Sequence, residues 1–176
     1  MQVKFIDEKK FLRYNFKTKP YQHQYNAFIK SKDKTHYALF MEQGTGKSKV
    51  IIDNIAYLYR RGDIDTAIIV APKGVYRNWY ASEFKTHMPE DVVSFTDLCI
   101  WNPVETKTNV DKLIDFLKPS VKLKFFIINI EALSTDKGKN YLHRLLNSSK
   151  AFLCVDESTN IKNRTARRTK ACLKLG

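Results

Sequence analysis

No apolar run in the chain approaches the roughly 20 residues that a membrane-spanning helix needs. The first ten residues, Met1 to Lys10, mix charged and apolar side chains where a secretory leader would carry an apolar stretch. Both absences point to an intracellular chain. Cysteine is scarce: Cys99, Cys154 and Cys172 are odd in number and far apart. That excludes a disulfide framework and leaves them as reduced core residues. Four scattered histidines offer no metal-ligand spacing. Repeats, low-complexity tracts and Gly/Ser linkers are also missing. Acids are the last shortage, at 18 against 31 Lys and Arg, for a formal charge of +13. A polyanionic partner explains that excess best. The competing explanation is a basic surface that water alone solvates.

At 176 residues the chain suffices for one domain with a substantial core and not for two full ones. Apolar patterning alternates between two types of element. Continuous apolar runs predict strands at 36–41, 66–71, 124–130 and 150–155, with a weaker one near 92–101. Helical spacing predicts helices at 21–29, 47–60, 75–86, 109–117, 138–148 and 165–174. Strands such as Thr66-Ala67-Ile68-Ile69-Val70 are apolar throughout, which requires burial on both faces. The expected fold is therefore α/β, a mostly parallel sheet sandwiched by helices. Its ligands belong at the carboxyl ends of the strands.

One segment carries chemistry on its own. Met41-Glu42-Gln43-Gly44-Thr45-Gly46-Lys47-Ser48 lies between the predicted strand at 36–41 and the predicted helix at 47–60. Gly44 and Gly46 allow the backbone, with Thr45 between them, to turn its N–H groups toward phosphates. The helix N-terminus behind them adds the positive end of a dipole. Lys47 then reaches the β- and γ-phosphates, and the Ser48 hydroxyl is placed to ligate Mg²⁺. The pattern G-x-x-x-x-G-K-[ST] has Met41 in place of its first glycine.

A second segment completes the chemistry. The apolar run Ala151-Phe152-Leu153-Cys154-Val155 ends in Asp156-Glu157. Asp156 can hold the Mg²⁺ shell while Glu157 polarises the attacking water. Acids decorating a helix N-terminus are the competing explanation. Together the two segments make ATP and Mg²⁺ the expected cofactors, with Lys47, Asp156 and Glu157 as catalytic residues.

The order of motifs resembles the first RecA-like domain of superfamily-two helicases, most closely the chromatin-remodeller-type (sucrose non-fermenting) translocases. Lys19-Pro20-Tyr21-Gln22 resembles the motif whose glutamine reads the adenine edge, a role that falls on Gln22. Glu42 ahead of the phosphate loop matches that branch and accounts for the missing glycine. Val70-Ala71-Pro72-Lys73-Gly74-Val75-Tyr76-Arg77-Asn78-Trp79 is similar to motif Ia, Ile127-Ile128-Asn129-Ile130-Glu131-Ala132-Leu133 to motif Ib, and Val155-Asp156-Glu157-Ser158-Thr159-Asn160 to motif II. The resemblance covers about residues 19–165. It implies an N-terminal extension at 1–19 and a RecA-like, P-loop NTPase domain at 20–176.

That resemblance also implies a function: the ATP-binding lobe of a DNA-dependent ATPase that translocates on, unwinds or remodels DNA. Lys73, Arg77, Asn78 and Asn129 are then the contacts to the DNA backbone. Trp79 with Phe84 fits either such a contact or the apolar stripe of a helix. The run Lys162–Lys170 carries five cations in nine positions, either a solvated face or a phosphate track. Thr159 stands where the family usually has histidine, which implies altered coupling. The family's second RecA-like lobe, with its arginine finger, lies outside these 176 residues. On that basis the isolated chain should be nearly inactive, either a truncated piece of a longer gene or half of a split motor. A lone nucleotide- or DNA-binding module without turnover is the alternative. The compact, lysine-rich motifs hint at a virus or mobile element, placing the chain in a host cytoplasm or at a nucleoid.

Overall fold

Four of the five expected strands form. In the computed structural model, which describes residues 4–104 and 106–156, four strands pair side by side. They are β1 (Thr66–Ala71), β2 (Thr96–Ile100), β3 (Leu123–Asn129) and β4 (Ala151–Val155). The sheet order is β2-β3-β1-β4, and every pairing is parallel. Thr66 lies opposite both Lys124 and Ala151, and the register runs on to pair Val70 with Ile128 and Val155. Parallel neighbours need crossovers of a dozen residues or more, and helices supply them.

Eight α-helices are present among the described residues. They are α1 (Glu8–Tyr14), α2 (Gln22–Ser31), α3 (Lys47–Arg60), α4 (Tyr76–Asn78), α5 (Lys85–His87), α6 (Glu90–Val93), α7 (Lys107–Leu117) and α8 (Asp136–Asn147). A π-helical turn, Trp79–Phe84, joins α4 to α5, and a 3₁₀ turn, Ile130–Ser134, follows β3. The sheet flanked by helices is the expected α/β architecture.

Contacts divide the chain into two units. The first holds the chain up to Asp63 together with Trp79–Ser94, and the second holds Ile64–Asn78 and the chain from Phe95 onward. In the second unit, Ile68, Val70, Phe126 and Ile128 form one buried cluster with Leu113 of α7 and Tyr141, Leu142 and Leu145 of α8. The alternate residues Ala67, Ile69, Phe125 and Ile127 are equally buried. Apolar side chains on both faces explain why these strands read as continuous apolar runs.

An aromatic cluster organises the first unit. Ile6, Phe16, Phe28 and Val50 are buried together, with Tyr14, Tyr25 and Tyr57 packed around them. Tyr14 meets the rings of Phe28 and Tyr57 edge-on. Arg60 at the end of α3 grips Asp91 through two bonds of 2.8 and 2.7 Å and also donates to the Tyr14 carbonyl. That guanidinium holds the Asp91 carboxyl below the usual carboxylate range. Segment 1–19 thus contributes a helix and two core residues, Ile6 and Phe16, to this unit.

One expected element is absent. Residues 36–41 form no strand. Phe40 is 97% exposed, and only Leu39 and Met41 lean on the aromatic cluster. An apolar run reports a wish for burial, whereas a strand needs an edge to bond. Among the described residues this run has no strand partner.

The predicted helix at 165–174, with Cys172, lies outside the described residues.

Candidate functional site

The phosphate loop forms without the strand expected before it. Gly44 and Gly46 both take left-handed backbone angles, φ 76° and 82°, a conformation that other residues adopt at a cost. Gly46 is the N-cap of α3, with no side chain capping the helix. The N–H groups of Gly46, Lys47, Ser48 and Lys49 accordingly find no backbone acceptor among the described residues. Unpaired N–H groups at a helix start, with the dipole behind them, form an anion-binding arrangement.

Lys47 is parked on its own loop. Its Nζ donates to the carbonyls of Met41 at 3.0 Å and Glu42 at 2.9 Å. The Glu42 carbonyl also accepts from the Thr45 hydroxyl at 2.6 Å. Neutral carbonyls are weak partners for an ammonium compared with a phosphate, whose hydrogen bonds are charge-assisted on both sides. The donor set therefore fits a nucleotide's phosphates, with Lys47 free to exchange its partners for them.

Helix α2 reaches this loop through residues that the sequence reading passed over. Gln22 turns along its own helix, its Nε2 donating to Asn26 Oδ1 at 2.9 Å. Gln24, buried at 6% exposure, spans two backbone points. Its Oε1 accepts from the Tyr21 N–H at 3.0 Å and its Nε2 donates to the Thr45 carbonyl at 3.1 Å. His23 Nε2 lies 3.0 Å from the same carbonyl, its ring stacked on Tyr21. A signal was available: a Gln three positions into a helix often reaches back to cap the first N–H.

One turn into α3 lies an ion pair that motif reading does not anticipate. Lys49 and Asp53 are both buried and 2.8 Å apart, with the ammonium over the Phe16 ring. Asp53 Oδ1 has no partner among the described residues. Burial pushes this carboxyl up to about 7 against the pull of Lys49. The opposite end of α3, about 20 Å away for fourteen residues, borders a cleft lined by Arg13, Tyr14, Lys32, Tyr57, Arg60 and Arg61. Its cations are largely committed: Arg60 to Asp91, Lys32 and Arg61 to Asp33.

The second unit carries Asp156, Lys73, Arg77, Asn78 and Asn129 at or beyond the carboxyl edge of its sheet. The Asp156 N–H donates to the Val70 carbonyl at 2.8 Å, continuing the β1–β4 pairing and fixing where the acid leaves the strand. Beyond β1, Lys73 is exposed, and its N–H meets Glu131 Oε1 at 3.4 Å. Asn129, the last residue of β3, donates from Nδ2 to Glu131 Oε2 at 3.0 Å. Glu131 thus ties the loop after β1 to the end of β3, a role with no motif to announce it. Arg77 is exposed, its Nε 3.3 Å from the Tyr76 hydroxyl, and Asn78 is exposed beside it. Trp79 and Phe84 are 2% and 6% exposed, so of the two readings of Trp79 the structure supports the apolar stripe.

Ser48 belongs to the first unit and Asp156 to the second. Glu157, Ser158, Thr159 and the basic run 162–170 lie outside the described residues. Among the described residues no cluster of three potential metal ligands occurs, and no helix is long and apolar enough to cross a membrane.

A search of curated proteins finds no match to the chain. The family model of the type III restriction enzyme res subunit matches residues 15–174, from before the glutamine-bearing helix α2 through the phosphate loop and Asp156. The chain belongs to that family, a superfamily-two helicase-like domain of RecA type.

Proposed function

We propose that the chain is the ATP-binding lobe of a DNA-dependent ATPase that translocates on DNA and unwinds or remodels it. The phosphate loop carries this reading: two left-handed glycines, a lysine in reach and a helix start with its N–H groups unpaired. The family match supports a helicase-like lobe of this type. In this reading Gly44, Thr45, Gly46, Lys47 and Ser48 hold the phosphates, and Gln22 reads the adenine edge. Ser48 and Asp156 hold Mg²⁺, which when bound neutralises charge on the β- and γ-phosphates. Glu157 accepts the proton of the attacking water.

Exposed Lys73, Arg77 and Asn78, with Asn129 at the end of β3, are the DNA contacts of this proposal. They lie at or just beyond the carboxyl ends of β1 and β3, where α/β sheets place their ligands. The chromatin-remodeller-type branch is the finer assignment, resting on Glu42 before the loop and on the Asn78-Trp79 pair. A second lobe supplying an arginine finger completes the motor.

Lys47→Ala tests the core of the proposal. Losing a charge-assisted contact to phosphate costs about 1.5–3 kcal/mol, so ATP affinity measured by calorimetry should fall at least tenfold, by the relation of about 1.4 kcal/mol per decade. Unchanged affinity in a folded variant would remove this loop as the nucleotide site.

A further inference from the structure

We propose that Gln24 is the positioning residue of the phosphate loop, a clamp that sets the Thr45–Gly46 peptide in its ligand-receiving orientation. The inference rests on the nucleotide-binding reading and adds to it a residue outside the recognised motifs.

The geometry is specific. The Gln24 side chain is buried, and its amide bridges the Tyr21 N–H at the N-cap of α2 and the Thr45 carbonyl. In a trans peptide the C=O and the following N–H point in opposite directions, and no cis peptide is present among the described residues. Pulling the Thr45 oxygen toward α2 therefore aims the Gly46 N–H away from α2. That N–H has no acceptor among the described residues and heads the row of unpaired donors that continues into Lys47 and Ser48. His23 lies at hydrogen-bond distance from the same oxygen, and a carbonyl has two lone pairs to accept both donors.

Gly46 lies close to the same amide. A Cβ at this position would collide with Gln24 Nε2. The left-handed backbone favours glycine here, and a Cβ would also displace the end of the Gln24 side chain from its place. Gln22, by contrast, bonds within α2 and makes no contact with the loop among the hydrogen bonds of the described residues. The two glutamines divide the helix between them: one faces its own turn, and the other faces the loop.

Three substitutions in the full chain test the clamp. Gln24→Glu keeps the acceptor for Tyr21 N–H but cannot donate to Thr45 when ionised. Gln24→Met is neutral, of similar length, and cannot donate either. His23→Ala removes the second donor at an exposed position, where folding is safe. Affinities for Mg-ADP and for Mg-pyrophosphate are measured by calorimetry beside wild type and Lys47→Ala, with thermal melts of the unliganded proteins.

Both Gln24 variants should bind both probes about tenfold more weakly, the loss expected for an orienting hydrogen bond. His23→Ala should bind about threefold more weakly on the same grounds. The equal loss on pyrophosphate places the effect at the phosphates, and a melt unchanged in either Gln24 variant separates it from general destabilisation. Weakening by Gln24→Glu alone is a charge effect and overturns the clamp, as does wild-type affinity in both Gln24 variants. Should neither Gln24 variant fold, wild-type affinity in His23→Ala overturns it. If Lys47→Ala also binds as wild type, the nucleotide reading itself falls. If Lys47→Ala alone is defective, that reading stands and the Gln24 clamp does not.

Discussion

Buried Asp53 and half-buried His87, both in the first unit, make opposite demands on pH. Asp53 is raised to about 7 by burial, so the folded chain keeps a proton that an unfolded carboxyl near 4 has released. From about pH 4 to 7 this group removes stability as pH rises. Burial, together with the charges of Lys49 and Lys17, lowers His87 to about 4. Between about pH 4 and 6.5 the unfolded chain takes up a proton that folded His87 refuses, so this group adds stability as pH rises. His87→Gln should therefore turn the stability profile downward between pH 4.5 and 7, and Asp53→Asn should steepen its rise up to pH 6.5. Urea midpoints across that range decide the matter, and profiles parallel to wild type would refute the assignment. None of this was legible in the sequence. Lys49 and Asp53 sit on an amphipathic run where an i, i+4 ion pair is ordinarily solvated, and only the fold buries them. The left-handed turns at Gly44 and Gly46 were legible because turn geometry is local.

Elements reported themselves according to how much of their cause is local. β1 and β3 were read almost to the residue, since a strand buried on both faces is apolar throughout. The run 36–41 carries the same apolar signal and forms no strand, because pairing depends on a neighbour that composition does not encode. Helix α1 went unread inside a charged N-terminus, although its limits are local. Asp7 caps it by accepting from Lys10 N–H, and Asn15 ends it in a left-handed turn at φ 50°. Asp7→Ala should lower stability by removing the helix cap. A tighter constraint falls on α8, where a Cβ at Gly138 would strike the Ala132 carbonyl oxygen. Gly138→Ala should destabilise by about 1–3 kcal/mol through overpacking. Urea denaturation reads both, and a neutral Gly138→Ala would show that the 3₁₀ turn yields freely.

At the scale of the whole molecule, the formal charge of +13 is the property most open to measurement. If about four phosphates are neutralised on binding, affinity for random-sequence duplex should fall about a hundredfold between 50 and 200 mM salt. Replacing both Lys73 and Arg77 by Glu should weaken binding at low salt and flatten that dependence. A salt-independent affinity would make the charge a matter of solubility. The strand order has a further consequence, one of timing. Among the described residues β1 lies inside the sheet between β3 and β4, both of which follow it in the chain. During synthesis at about 5–20 residues per second, Ile68-Ile69-Val70 emerges several seconds before either neighbour exists. The nascent chain thus carries an unpaired apolar strand for that interval, and slowing translation beyond Ala71 lengthens the exposure.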